Sequence, residues 1–375
     1  MKVLIVRMYP YELNIKNYNC QELGLAKELV RRGNTCDIVL YTKNDKSFEE
    51  DYIFDGNKRI HIYYLKAKNI MKNAFFEKKL YKIAEEYDVV QTSEYDQIAN
   101  VRLKKHCKKM VIYHGPYESQ YTIKYRIKCI ISDIYFLFHP NYKKNICIAK
   151  SKLASELLYK KGFRKVNVIG VGIDKDRFMR LETDNLKIEF NRNFFYLLYV
   201  GKIEPRRNTL FLLELLSKLN KDSNTNKLVI VGKGKKKYLN KIKNYAKKKN
   251  LLSDIIYFES LNQEELSVLY KKCNVFILPS CYEIFGMVIL ESMYFGLPVI
   301  TTYNGGSSIM INKDNGLFIK KTNRIDDWID TLKILKTDKD YYKKISKNAK
   351  RTVNFYSWNN LCDFFINVYN IEEEK

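Results

Sequence analysis

Residues 279–306 read PSCYEIFGMVILESMYFGLPVITTYNGG. An aliphatic run, Val275 to Leu278, leads into this stretch, and a helix-period pattern fills it until Gly296. Pro298 to Thr302 is extended again. Strand, helix and strand in so short a span form a crossover unit, which places both strands in a parallel sheet buried on both faces. Within the stretch Glu283 and Glu291 stand eight positions apart, with Phe285, Gly286 and Met287 between them. Gly286 lets the chain turn tightly into a helix whose free N–H groups can hold a phosphate. Glu283 is then expected in the loop, able to accept hydrogen bonds from sugar hydroxyls. Glu291 is expected on the helix, where it can take the vicinal hydroxyls of a ribose.

The same alternation extends in both directions. Toward the N-terminus, Lys2–Val6, Cys36–Tyr41, Asp88–Gln91, Met110–Tyr113 and Val166–Val171 are short strands, separated by helical stripes such as Gln21–Arg32, which ends at Gly33. The pattern lapses into polar, charge-mixed residues near 181–192 and restarts at Phe194–Val200, followed by Lys227–Val231, a lysine-rich helix at 237–249 and Ile255–Phe258. The expected class is therefore α/β, with two doubly wound Rossmann-like halves facing across a cleft. The expected domains are 1–185, 186–352 and a returning C-terminal helix at 353–375.

The chain has 375 residues, 46% apolar and 29% charged, with a formal charge of +25. That balance supports large cores and excludes a disordered chain. Lys, Asn, Ile and Tyr are all abundant, a composition that accounts for part of the basic excess, and no nucleic-acid partner is expected. The eight cysteines form no C-x-x-C pair, which argues against zinc ribbons and dense disulfides and for a reducing compartment. The longest uncharged run, Ser292–Asn312, is broken by Gly296, Pro298 and Asn304-Gly305-Gly306 and is not a membrane span. The first residues lack a secretory apolar core, so a cytoplasmic protein is expected.

Neither G-x-G-x-x-G before the first helix nor a P-loop is present. Instead VGKIEPRRN places Gly201, Lys202, Arg206 and Arg207 directly after a strand, where cations can converge on a diphosphate; a solvated basic face is the alternative. VIVGKGKKK places Gly232 and Gly234 at another strand end, either for close ligand approach or as an ordinary turn.

In order and spacing these segments resemble the retaining glycosyltransferases of the GT-B fold, family 4, with their E-x7-E signature, over nearly the whole chain. The resemblance implies that Glu283 contacts the donor sugar and Glu291 the ribose, and that Gly201, Lys202 and Arg207 bind the donor diphosphate. It further implies that Gly232, Gly234 and the strand ending at Phe258 pass the nucleotide, with Phe285, Gly286 and Met287 in the donor loop. His114, in YHGPYES, matches the family's histidine beside the donor sugar and acceptor. FYSWNN around Trp358 resembles the start of the last helix, which in this fold returns to the first domain. Where the family often has Gly-Gly after the first strand, this chain has ELNIKNYNCQE, which puts Asn17, Tyr18 and Asn19 on the acceptor side.

The implied reaction transfers a sugar from a nucleotide diphosphate sugar, UDP favoured over GDP, to a glycan or lipid-linked hydroxyl in cell-surface polysaccharide or glycoconjugate synthesis. No cofactor and no metal are expected: the DxD lookalikes Asp174-Lys175-Asp176 and Asp338-Lys339-Asp340 read as structural and capping residues. Rival readings are an epimerase or phosphorylase of the same fold, or a non-catalytic polyanion or membrane binder. Residues 119–145 mix basic residues with Ile127, Ile130, Ile131, Ile134, Tyr135, Phe136, Leu137 and Phe138. They read either as an element lying on an anionic membrane surface at the inner face or as a buried helix with ordinary surface lysines.

Overall fold

The computed structural model describes residues 1–15, 20–117, 122–176, 186, 189–221, 224–319 and 324–372. The chain forms two compact units, one of Met1–Ile173 with Ser357–Lys375 and one of Asp174–Tyr356. The divisions fall at 173/174 and 356/357, whereas the sequence reading placed them at 185/186 and 352/353. Local bonding explains the difference. Lys175 donates to the Asn354 side chain at 2.6 Å and the Tyr356 hydroxyl to the Ile309 carbonyl at 2.8 Å, tying both ends into the second unit. Ile173 bridges to Ser357 in the first unit.

The first unit contains β1 (Lys2–Val6), β2 (Thr35–Tyr41), β3 (Phe48–Phe54), β4 (Lys58–Leu65), β5 (Ala67–Ile70), β6 (Asn73–Phe76), β7 (Val89–Ser93), β8 (Met110–His114), β9 (Ile146–Ala149) and β10 (Val166–Val168). Its main sheet runs β10-β9-β8-β7-β1-β2-β4-β3. Every pairing in it is parallel except β3 with β4, and β5 and β6 form a separate antiparallel ribbon. The reversal of order beside β1 is the switch point of a doubly wound sheet, and the strand ends there are where such sheets carry sites. The hairpins at 48–76 lie outside the sequence expectation; β3 is largely exposed and broken by Glu49, Glu50 and Asp51, so no aliphatic run marks it.

The last helix, Trp358–Asn370, packs in this unit. Ser357 caps it, and Trp358, 3% exposed, fills the space left by two glycines. A Cβ on Gly24 or Gly172 would come within 2.2 or 2.3 Å of the indole.

The second unit contains β11 (Phe195–Val200), β12 (Asn226–Val231), β13 (Ile255–Phe258), β14 (Val275–Leu278), β15 (Val299–Thr302) and β16 (Leu317–Ile319). They form one sheet in the order β13-β12-β11-β14-β15-β16, with all pairings parallel. Two of its helices begin at strong local signals. Asn262 and Glu265 make a reciprocal capping box, and Asp338 accepts the Tyr341 N–H at 2.8 Å, the capping role expected of it.

Candidate functional site

In the second unit the four neighbouring strands β12, β11, β14 and β15 end side by side, so their loops share one edge of the sheet. Past β11, Gly201 and Lys202 lead through a short turn at Pro205–Arg207 into the helix Thr209–Leu219. Past β14, the loop Pro279–Phe285 leads through Gly286, at φ +75°, into the helix Met287–Tyr294. No side chain caps that helix among the described residues, and in its first turn the Ile289 N–H donates to the Gly286 carbonyl at 2.8 Å, which leaves the positive end of the helix dipole facing the loop.

The structure brings Arg207 and Glu283 together as an ion pair. Glu283 is only 7% exposed, and a buried carboxylate requires such a partner. The Ser280 hydroxyl lies 3.5 Å from the Arg207 guanidinium. Arg206 is not part of a solvated face. Its guanidinium grips Glu204 at 2.7 and 2.9 Å and donates to the Tyr282 carbonyl at 3.0 Å, while its own carbonyl accepts the Cys281 N–H at 2.9 Å. Arg206 therefore holds the Glu283 loop in place and Arg207 holds its carboxylate. Lys202 is exposed, and its carbonyl accepts the hydroxyl of buried Tyr199 at 2.7 Å.

The other donor-side residues divide between backbone and core. Gly201 and Gly232 cross in contact: a Cβ on Gly232 would fall 1.8 Å from the Gly201 carbonyl oxygen. Gly234 packs likewise on Ile203. The Phe258 carbonyl accepts the Gly232 N–H at 2.9 Å. Phe285 is buried with its ring against Tyr356, so its side chain anchors the loop from beneath, while Met287 is half-buried at the helix start. Glu291 is 1% exposed and accepts the Tyr270 hydroxyl at 3.0 Å. Burial pushes its carboxyl up to about 8.

Two features take their place at the site only from the structure. Asn304-Gly305-Gly306 lies against the Glu283 loop. The Gly305 N–H donates to the Glu283 carbonyl at 3.0 Å, and a Cβ on Gly306 would fall 1.5 Å from the Phe285 carbonyl oxygen. Fully buried Asn304 fixes this turn through Thr301, Thr302 and Ser307. The second is a cavity of about 760 Å³ lined by Lys202, Lys233, Lys235, Lys237, Lys241 and Tyr238. The lysine run was legible, but which of its members share one hollow depends on how the helix Lys236–Lys248 starts.

In the first unit His114 ends β8 and is wholly buried. Its Nδ1 lies 2.8 Å from Glu94 Oε2. The Gly115 N–H donates to the same carboxylate at 2.8 Å, and Lys150 approaches it to 3.8 Å. Burial alone would raise the Glu94 carboxyl, but Lys150, His114 and the Gly115 N–H outweigh it and hold it at about 2. Glu94 and Lys150 carried no sequence signal of their own, because each simply follows a strand. Asn17, Tyr18 and Asn19 lie outside the described residues.

The helix Ile123–Leu137 buries Lys128, Cys129, Ser132 and Phe136 on one side. Ile123, Ile127, Ile130, Ile131, Ile134 and Leu137 are exposed on the other, and Phe138 just beyond is 78% exposed. Lys124 and Arg126 are exposed on the same helix. No helix among the described residues is long and apolar enough to cross a membrane. Among the described residues no group of three or more His, Cys, Asp or Glu side chains is placed to hold a metal.

Residues 182–352 match the family described as Glycosyl transferases group 1, and residues 23–177 match Glycosyltransferase Family 4. An uncharacterized glycosyltransferase of Methanocaldococcus jannaschii is 26% identical over 378 residues, covering 94% of this chain and 93% of its own. The UDP-Gal:alpha-D-GlcNAc-diphosphoundecaprenol alpha-1,3-galactosyltransferase of Escherichia coli is 28% identical over 195 residues, 50% of this chain and 49% of its own length. Anabaena HepE, solved in complex with UDP-glucose, matches with a TM-score of 0.69 over 98% of both chains at 14% identity, a likeness of fold.

Proposed function

We propose, for a chain that belongs to the group 1 and family 4 glycosyltransferases of GT-B fold, that it moves a sugar with retained configuration from a UDP-sugar to a hydroxyl of a lipid-linked or glycan acceptor, without a metal. The observation that carries the reading is the Arg207–Glu283 pair beside the uncapped helix Met287–Tyr294. As the bond from the sugar to the β-phosphate breaks, negative charge grows on the phosphate. Lys202, Arg207 and the helix N-terminus are the positive groups at this edge that can stabilise it. Glu283 orients the sugar hydroxyls and Arg207 holds its carboxylate in place. The lysine-lined cavity suits an anionic donor. The acceptor hydroxyl attacks from the face the leaving group vacates, with His114 contacting sugar or acceptor.

The uridine choice is supported by the UDP-sugars named with the E. coli and Anabaena proteins. The exposed apolar face of Ile123–Leu137, flanked by Lys124 and Arg126, supports an acceptor met at an anionic bilayer surface. The test is thermal stabilisation by a panel of UDP- and GDP-sugars with magnesium or EDTA, since a ligand of the native state raises Tm by mass action, followed by turnover of variants. Glu291→Ala should weaken donor binding, and Glu283→Ala should lower turnover more than nucleotide affinity. Unchanged turnover in both variants would overturn the site assignment.

A further inference from the structure

We infer that Glu94 is a positioning residue, which holds the His114 imidazole with its proton on Nδ1 and so presents Nε2 as an acceptor for a hydroxyl of the sugar or acceptor molecule. The inference rests on the transferase reading for its ligand, but its geometry stands within the first unit alone. Glu94 follows β7 at φ +53°, a left-handed conformation that is strained for a non-glycine residue. Such strain persists only where the surroundings enforce it. Here the reward is a carboxylate brought to the ends of three more strands: His114 at the end of β8, Lys150 after β9, and the Tyr9 hydroxyl after β1.

An ionised carboxylate only accepts hydrogen bonds, so the ring nitrogen facing it at 2.8 Å carries the proton. The Tyr95 N–H also points at Nδ1, but at 3.5 Å, the outer limit of a hydrogen bond. The shorter, charge-assisted contact decides the tautomer. The consequence falls on the other nitrogen. Nε2 is fully buried and has no hydrogen-bond partner among the described residues, an unfavourable state for a buried polar group. A hydroxyl that displaces the side chains now covering Nε2 would satisfy it by donating its hydrogen. Glu94 therefore acts through His114 rather than on the ligand, by selecting which nitrogen is free.

The test is imidazole 15N NMR of the whole chain. With four histidines in the sequence, the His114 signals are identified by their loss in His114→Gln. At neutral pH the wild-type ring should carry its proton on Nδ1. In Glu94→Gln, whose amide can donate to the ring, the Nε2–H form should gain at its expense. UDP release from UDP-glucose gives the second readout. Glu94→Gln should lower kcat about tenfold to a hundredfold, as loss of a group orienting a functional side chain does, with KM for UDP-glucose within about twofold. The same substitution should cost nothing more in a His114→Gln background.

A wild-type ring protonated on Nε2 would overturn the inference without any variant, even if Glu94→Gln failed to fold. A Glu94→Gln loss that adds in full to that of His114→Gln would overturn it as well. The expected tautomer with no turnover of UDP-glucose by the wild-type chain would instead count against the donor reading and leave the Glu94 placement standing.

Discussion

Replacing Glu291 by Gln keeps the shape of a buried side chain and removes its titration. The carboxyl sits at about 8 in the folded unit against 4.5 when solvated, because burial penalises its charged form. Below pH 4.5 both the folded and unfolded chains hold the proton and the group exerts no pH effect. As pH rises from 4.5 toward 8 the unfolded chain ionises while the native one does not. Stability is therefore lost at about 1.4 kcal/mol per pH unit, and the loss levels off above 8. The full span corresponds to roughly 5 kcal/mol, a large fraction of the stability of an ordinary domain. Glutamine is neutral throughout and can still accept the Tyr270 hydroxyl. Glu291→Gln should thus match wild type near pH 4.5 and gain on it steadily toward pH 8. Urea unfolding read by Trp328 fluorescence measures the effect, because Trp328 is fully buried in the second unit and Trp358, the other of the two tryptophans, can be changed to Phe in both proteins. A difference between the variants that stays flat across this range, or that shrinks with rising pH, refutes the reasoning.

Three further outcomes follow from the same geometry. Arg207→Met leaves Glu283 buried without its cation and should destabilise the second unit by about 3–5 kcal/mol in urea, with Arg207→Met/Glu283→Gln recovering much of that loss. Gly306→Ala places a methyl 1.5 Å from the Phe285 carbonyl, so it should cost about 1–3 kcal/mol in overpacking and abolish the thermal shift given by UDP-sugars, because the Glu283 loop must move. Ile130→Asp with Ile134→Asp changes two exposed side chains, so stability should shift by no more than about 1 kcal/mol while sedimentation with anionic vesicles falls severalfold; unchanged sedimentation would remove the bilayer from the acceptor reading.

Much of this protein is legible in its sequence because parallel sheets announce themselves. The strands buried on both faces are continuous aliphatic runs, such as Val275–Leu278, and the glycines and prolines between runs place the turns. The exposed strand β3, Phe48–Phe54, is not legible that way, since three acidic residues interrupt it and it is buried only at Phe54. The same holds for the helix Ile123–Leu137. Its sequence shows an apolar stripe and cannot say whether the stripe is covered, a matter settled only when the rest of the unit packs against Phe136 and Cys129 and leaves Ile127 and Ile134 outside.

At the candidate site the sequence names the charged residues and the tertiary structure pairs them. Glu283 and Arg207 are 76 positions apart, and so are Arg206 and the Tyr282 carbonyl it binds. They meet because β11 and β14 are neighbours in the sheet although two strands, β12 and β13, lie between them in the chain. Glu94 reaches His114 by the same logic, through the pairing of β7 with β8. Local chemistry is written residue by residue, in the capping asparagine, the turning glycine and the aliphatic strand. Which carboxylate is neutralised, and which buried nitrogen is left to accept a hydrogen bond, depends on strand order, because only long-range pairing brings residues so distant in sequence within hydrogen-bonding reach.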